Sequence, residues 1–231
     1  MIEALRELAP AGIELSFSQP EYLFDFECNE NNLEYLRSLK FNSIHAPWKD
    51  IIYGRNEAGE AALQKIESLY KQINARNVVF HREQIEDYDS ILNKGFVAWF
   101  NKFTILSEAE GSIENEDWRK TNCGPENTRD ILNKYEGLKF TFDFAHALSV
   151  SPSEALEYMH SFKDRLFEIH LSVIDKASEQ HDFLYKYDSP GLKALLSPLK
   201  AVSVPVVLEA VVSNSGELAL LKKEMEYINK I

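Results

Sequence analysis

KFTFDFAH, residues 139–146, combines a predicted strand with two candidate functional residues, Asp143 and His146. It is a short apolar run that closes on Asp143, and a second such run, LFEIHL at 166–171, follows it. Between the two runs, Ser-Pro-Ser-Glu at 151–154 indicates a helix start, because it combines a capping Ser, a Pro in the first turn and a Glu three residues after the cap. Strand, helix and strand in this order predict a βα unit and a parallel sheet.

The same alternation extends along the chain in both directions. Helical patterns occupy 60–75 and 216–231, and residues 1–8 look like the end of a helix with no strand before it. The aromatic-rich segment 82–111 is expected to form a helix or an apolar flap. We therefore predict an α/β fold in one domain over residues 1–231, a (β/α) TIM-type barrel of seven recognisable strands that lacks the first of the usual eight. The predicted strands are 12–17, 42–45, 77–81, 112–115, 139–143, 166–171 and 204–209.

Composition limits the classes of function. The formal net charge is −12, and because affinity for nucleic acid depends on Lys and Arg, duplex DNA is a poor candidate partner. Cys28 and Cys123 form no CxxC motif, which favours a reducing compartment. The N-terminus has no secretory pattern, and no apolar run is long enough to cross a membrane. We expect a cytoplasmic protein with a small-molecule substrate, and a homodimer formed through the open barrel edge.

Histidines and carboxylates recur at the ends of the predicted strands. In a barrel the carboxyl ends of the parallel strands meet at one mouth, where active sites lie. Imidazole and carboxylate groups together suit Zn²⁺ first, with Mn²⁺ or Mg²⁺ as alternatives. His160, inside a helical stretch, is expected to be structural. The candidate ligands are His45, His81, Glu114, Asp143, His146, His170, His181 and Glu209.

The motifs also form an ordered series along the chain: SIHAPW, VVFH, SIENED, FDFAHA, EIHLS, EQH and VVLEA. This series resembles the xylose isomerase-like superfamily, which includes endonuclease IV and the sugar isomerases and epimerases. The resemblance runs from Gly12 to the C-terminus. It implies a metal site whose part shared by both branches consists of Glu114, Asp143, His170 and Glu209.

The two branches imply different uses of these residues. In the isomerase and epimerase branch the four shared residues hold one divalent cation, and Glu114 and Glu209 double as acid and base. In the endonuclease IV branch three metals are bound. By that pattern, His45 and His81 bind the first with a bridging Glu114. Asp143, His170 and Glu209 complete the second. His146 and His181 bind the third with the acidic residue two positions before His181, which here is Glu179 where the family has Asp.

Three functions follow as expectations. The leading one is a multi-metal, zinc-type hydrolase acting on a small phosphorylated or sugar-like molecule. The second is a single-metal sugar isomerase or epimerase, although Lys176 stands where that branch has Arg. The third is a barrel that has lost catalysis and serves as a binding module. Arg119 and Lys120, which follow SIENED, either lie in a solvated loop or bind a phosphate or sugar acid of the substrate. Lys176 is a further substrate-binding candidate.

Overall fold

A computed structural model describes residues 2–81, 84–86, 88, 103–106, 125–135, 138–175, 177–178, 180–212 and 217–231. The helices are α1 (Ile2–Leu5), α2 (Pro20–Phe24), α3 (Glu30–Ser38), α4 (Glu57–Gln72), α5 (Pro125–Lys134), α6 (Phe144–Val150), α7 (Pro152–Ser161), α8 (Pro190–Leu196) and α9 (Leu218–Ile228). The strands are β1 (Gly12–Ser16), β2 (Phe41–His45), β3 (Asn77–His81), β4 (Phe103–Leu106), β5 (Leu138–Asp143), β6 (Leu166–Leu171), β7 (Val173–Ile174), β8 (His181–Asp182) and β9 (Val206–Leu208). No helix of these residues is long and apolar enough to cross a membrane.

The described residues divide into two compact units. The first comprises Pro10–Leu106 and the start of β5, and the second comprises Phe140–Ile231 with α1 and α5. Each unit is built on parallel strands. The assignment of the whole chain to a single domain stays a prediction.

In the first unit, β1, β2, β3 and β4 pair in sequence order, all parallel. A Cβ atom on Gly12 would lie 1.8 Å from the carbonyl oxygen of Phe41, its register partner, so only glycine allows β1 to approach β2 this closely. Asn56 caps α4 by accepting a hydrogen bond from the amide of Gly59, and the helix buries Leu63 and Ile66. The helix predicted at 60–75 is confirmed with a start three residues earlier.

In the second unit, β6 pairs in parallel with β5 on one side and with β9 on the other. Alternation along β5 separates two kinds of side chain. Phe140 and Phe142 lie close to Tyr158 of α7, with ring centroids 5.8 Å and 6.2 Å from the tyrosine ring. The alternate residues Thr141 and Asp143 point to the opposite face. This alternation directs the carboxylate at the end of β5 away from the apolar layer.

The strand prediction is confirmed at six of its seven positions, with shifts of one or two residues at the ends. The exception is the fourth strand. The structure pairs Phe103–Leu106 with β3, so the expectation that Phe103 belongs to a helix or flap was wrong. The strand predicted at 112–115 lies outside the described residues.

Candidate metal centre

Two buried histidines face each other in the first unit. His45 ends β2 and His81 ends β3, and each side chain belongs to a residue only 4% exposed. Their Nε2 atoms are 3.3 Å apart. His45 Nδ1 lies 3.1 Å from the carbonyl oxygen of Ala46, which can only accept, so Nδ1 carries a proton and Nε2 is left with its lone pair. In the neutral ring, His45 therefore presents Nε2 in the form that binds metal.

The Trp48 ring contacts both histidines of this pair. It stacks on His81 at a centroid distance of 5.4 Å and an angle of 7°. It meets His45 edge-on at 4.6 Å and 68°. The sequence motif SIHAPW contained Trp48, but nothing in the motif indicated a contact with both histidines.

In the second unit, Asp143 both caps a helix and faces two histidines. Its Oδ1 accepts a hydrogen bond of 2.7 Å from the amide of His146, in the first turn of α6. Its Oδ2 lies 4.0 Å from His146 Nε2. The rings of His146 and His181 have centroids 5.2 Å apart. One ligand atom from each of Asp143, His146 and His181 lies within 4.8 Å of the others, which is the spacing of a metal-binding group.

A second donor group adjoins it. His170 is the register partner of Asp143 on the neighbouring strand and is completely buried. Its Nδ1 lies 2.8 Å from Oε1 of Glu209, and Oε2 of Glu209 lies 3.7 Å from His181 Nδ1. The amide of Glu209 donates to the carbonyl oxygen of Leu171, so the residue extends the β6–β9 pairing beyond β9. His181 is thus near both donor groups.

The two carboxyl groups have opposite electrostatic settings. Burial alone would raise the pKa of Asp143, but the charges of His146, His181 and His170 outweigh it and hold that pKa below its ordinary value. Burial raises the pKa of Glu209 and prevails, although the His170 charge opposes it. A cation bound between these carboxylates would stabilise both in the ionised form.

His181 lies beside Asp143 and His146 on a short segment, the His181 arm, which spans residues 172–187. Antiparallel strands β7 and β8 form a hairpin that pairs Ile174 with His181, and the carbonyl oxygen of His181 accepts a hydrogen bond from the amide of Val211. The hydroxyl of Ser172 lies 2.7 Å from His181 Nδ1. The sequence motif EIHLS contained Ser172, but no local pattern indicated its partner. His181 is the first residue of β8.

Several predicted site residues lie outside the described part of the chain. His160, expected to be structural, is an exposed residue of α7. Of the predicted ligands, five lie close together in the second unit and two in the first. All of them are imidazole or carboxylate donors of the kind that suits Zn²⁺. The residues outside the described ranges are Glu114, Arg119, Lys120, Lys176 and Glu179.

Comparisons of sequence find no protein-family model and no curated protein that matches this chain. Comparisons of structure do find relatives in fold. Endonuclease IV from Thermus thermophilus superposes with a TM-score of 0.70 at 16% identity, covering 100% of this chain and 93% of that one. The 3-keto-D-glucoside 4-epimerase YcjR from E. coli gives 0.64 at 12% identity, with coverage of 100% and 93%. The probable 3-DHS dehydratase AsbF from Bacillus anthracis gives 0.61 at 14%, with coverage of 99% and 92%.

These neighbours define the class of fold. They include an endonuclease, an epimerase, a dehydratase and, at a TM-score of 0.60 and 10% identity, a xylose isomerase domain protein from Planctomyces limnophilus. The chain has the xylose isomerase-like TIM-barrel fold, as its motif series predicted. Because one fold carries many chemistries, the activity depends on the residues of the site.

Proposed function

We propose that this chain is a hydrolase that binds more than one divalent metal ion, zinc first, and acts on a small phosphorylated or sugar-like substrate. The observation that carries the proposal is the Asp143–His146–His181 cluster, whose ligand atoms lie within 4.8 Å of one another. A single-metal isomerase site needs neither His146 nor His181 as a ligand. Their approach to Asp143 therefore favours the multi-metal alternative.

The number of donors supports the same conclusion. One catalytic zinc ion takes about three protein ligands and keeps a position open. The second unit alone offers five donor residues, in two groups that meet at His181. The first unit offers the His45–His81 pair besides. One ion cannot use all of these donors, and buried imidazoles and carboxylates without such a role would carry a desolvation cost.

The chain's own residues would bind the ions in separate groups. Asp143, His146 and His181 would hold one ion, and His170 with Glu209 would hold another. His45 and His81 would contribute to a further ion. When bound, such ions supply Lewis acidity to an ester and a nucleophile from water near neutral pH. Burial raises the pKa of Glu209 in the metal-free chain, and a cation bound by Glu209 and His170 would hold this carboxylate in its ionised, ligating form.

The net charge supports a small substrate. With a net charge of −12, the protein offers little general attraction for a polyanion such as duplex DNA. A small phosphate ester needs only a local cationic site, which bound metal would provide. Zinc is put first because most of the described donors are imidazoles, and Mn²⁺ or Mg²⁺ would favour a site richer in oxygen.

Metal analysis of the purified protein tests the proposal. Elemental analysis after zinc loading and desalting should give two or three ions per chain. His181→Ala should lose about one of them. His160→Ala removes an exposed imidazole from α7 and is the matched control, which should lose none. A wild-type value of one ion would favour the isomerase, and a value of zero the binding module.

A substrate panel then separates the chemistries. The zinc-loaded protein should hydrolyse chromogenic phosphate mono- or diesters, and the activity should disappear with chelator and return with zinc. Duplex DNA with an abasic site, assayed at low salt, tests for cleavage of nucleic acid. Ketoses in deuterated water test for isomerase activity, because that reaction exchanges a proton at carbon with the solvent. Exchange without hydrolysis would replace the proposal by the isomerase.

A further inference from the structure

Helix α9 buries a carboxylate. Within this helix, whose residues are all described, Glu224 is the buried one, at 0% exposure. Burial raises the pKa of Glu224, which shows that its charged form is held at a cost. A buried carboxylate is maintained only when hydrogen bonds compensate for lost water. The position of Glu224 therefore requires a specific partner.

That partner is the backbone that follows His181. Oε1 of Glu224 accepts a hydrogen bond of 2.8 Å from the amide of Leu184, and Oε2 accepts one of 3.1 Å from the amide of Tyr185. These two amides are the first of the 3-10 turn Leu184–Tyr187. The first N–H groups of a helical turn have no backbone partner within it. Both carboxylate oxygens are used, and hydrogen bonds to a charged acceptor are the stronger kind.

The turn is the far end of the arm that carries His181. The arm leaves β6 at Ser172, forms the β7–β8 hairpin and reaches the turn three residues after His181. It is fixed at its base, where the hydroxyl of Ser172 meets His181 Nδ1, and in the middle, where the amide of Val211 donates to the carbonyl oxygen of His181. Glu224 fixes its end. Without that contact, the two amides would have to find water in a buried place.

We infer that Glu224 is a positioning residue, which holds the His181 arm so that the imidazole stays beside Asp143 and His146. The inference rests on the proposed function, because it takes His181 to be a metal ligand. Glu224 acts through the backbone of the turn, from which both of its carboxylate oxygens accept hydrogen bonds. The C-terminal helix thereby becomes part of the metal site, although its own residues lie outside the donor groups.

Glu224→Gln tests the inference with little change of shape. Glutamine keeps one acceptor oxygen but turns an NH₂ group toward an N–H donor. Glu226→Gln makes the same change at an exposed position of the same helix and is the matched control. We expect Glu224→Gln to weaken zinc binding at one site by about ten-fold or more, as loss of a supporting contact does. Chelator competition measures the affinity, and Glu226→Gln should match the wild type.

A double-mutant cycle separates positioning from general stability. If Glu224 acts through His181, Glu224→Gln should add no further loss of zinc in a His181→Ala background. Hydrogen exchange of the Leu184 and Tyr185 amides should be faster in Glu224→Gln. Should this variant fail to fold, Glu224→Asp, which keeps the charge but shortens the reach, replaces it.

The outcomes are distinguishable. Wild-type zinc affinity in Glu224→Gln, while His181→Ala loses an ion, would overturn the role of Glu224 and leave the proposed function standing. An additive loss in the double variant would equally overturn it. A wild type that binds no zinc would overturn the proposed function itself.

Discussion

The Nε2 atoms of His45 and His81 lie 3.3 Å apart at the ends of two neighbouring strands. With His45 Nδ1 held by the carbonyl oxygen of Ala46, His45 Nε2 has a lone pair directed toward the partner ring. Two buried imidazole nitrogens at this distance are joined either by one shared proton or by a metal ion that both bind. The shared proton and the metal ion predict different effects of removing one of the two rings.

His81→Ala should therefore lower the zinc content of the loaded protein by about one ion per chain, because one imidazole alone binds zinc weakly. Elemental analysis after desalting measures the change. Trp48→Phe keeps an aromatic ring beside both histidines and serves as the control for altered packing. Unchanged zinc in His81→Ala would show that the pair shares a proton and binds no metal.

Ser172→Ala should weaken zinc binding by roughly 10- to 100-fold at the site that His181 serves. The hydroxyl is the 2.7 Å partner of His181 Nδ1, and a nitrogen so engaged leaves Nε2 as the one available to a metal. Chelator competition gives the affinity. Nitrogen-15 spectra of the histidines report the tautomer of His181 without any metal present.

Ser153→Ala, at an exposed position of α7, is the matched control for this experiment. It should leave both the affinity and the tautomer unchanged. A Ser172→Ala protein with the wild-type tautomer and affinity would show that the hydroxyl does not orient the ring.

Most of the fold and several residues of the candidate site could be predicted from the sequence. Strand ends are signalled locally, because an apolar run that stops on His or Asp marks both the strand and the residue at its mouth. His45, His81, Asp143 and His170 were found in this way. The fourth strand was missed because Phe103–Leu106 follows an aromatic-rich segment that hides the run of four residues.

Supporting contacts could not be predicted from the sequence. Ser172 and His181 are 9 residues apart, and Glu224 and Leu184 are 40 residues apart. Neither separation has a local pattern, since each contact exists only after the hairpin and the C-terminal helix have packed. Glu224 illustrates the limit, because an acidic residue in a charged helix is ordinarily expected to face water.

Stability at alkaline pH should depend on Tyr187. Tyr187 is 39% exposed, but partial desolvation of its phenol and the hydrogen bond that the hydroxyl donates to Asp182 raise its pKa to about 12. Folding therefore favours the neutral phenol. Because solvent screens these interactions, their contribution to stability should be small. The stabilisation is complete below the unfolded pKa of about 10. It is lost as the pH rises from there through the folded pKa.

Tyr187→Phe should accordingly flatten the fall in Tm between about pH 10 and 12, and lower Tm at neutral pH. Thermal unfolding across this range measures both effects. Some dependence should remain, because Tyr227 also has a pKa raised to about 12. Tyr22→Phe, at an exposed position of α2, should leave the wild-type profile. A Tyr187→Phe profile parallel to the wild type would contradict the argument.

Asn42→Ala should be the most damaging of these changes to stability. Asn42 is 1% exposed, and its amide nitrogen donates to the carbonyl oxygens of Leu36 at 2.6 Å and Ile73 at 2.9 Å. Its Oδ1 accepts a hydrogen bond of 3.3 Å from the amide of Ile13. The side chain thus joins the end of α3, the end of α4 and strand β1.

Alanine at this position would remove a partner from two carbonyl groups and one amide. The carbonyl oxygen of Leu36 keeps the hydrogen bond from the amide of Leu39. The loss at Ile73 and Ile13, by contrast, costs about 1 to 3 kcal/mol each. We therefore expect the free energy of unfolding to fall by about 3 kcal/mol or more in urea titrations. Asn42→Asp should also destabilise, because a carboxylate cannot donate to the two carbonyl oxygens. Asn31→Ala, exposed on α3, is the control. A loss in Asn42→Ala no larger than in this control would mean that water replaces the amide.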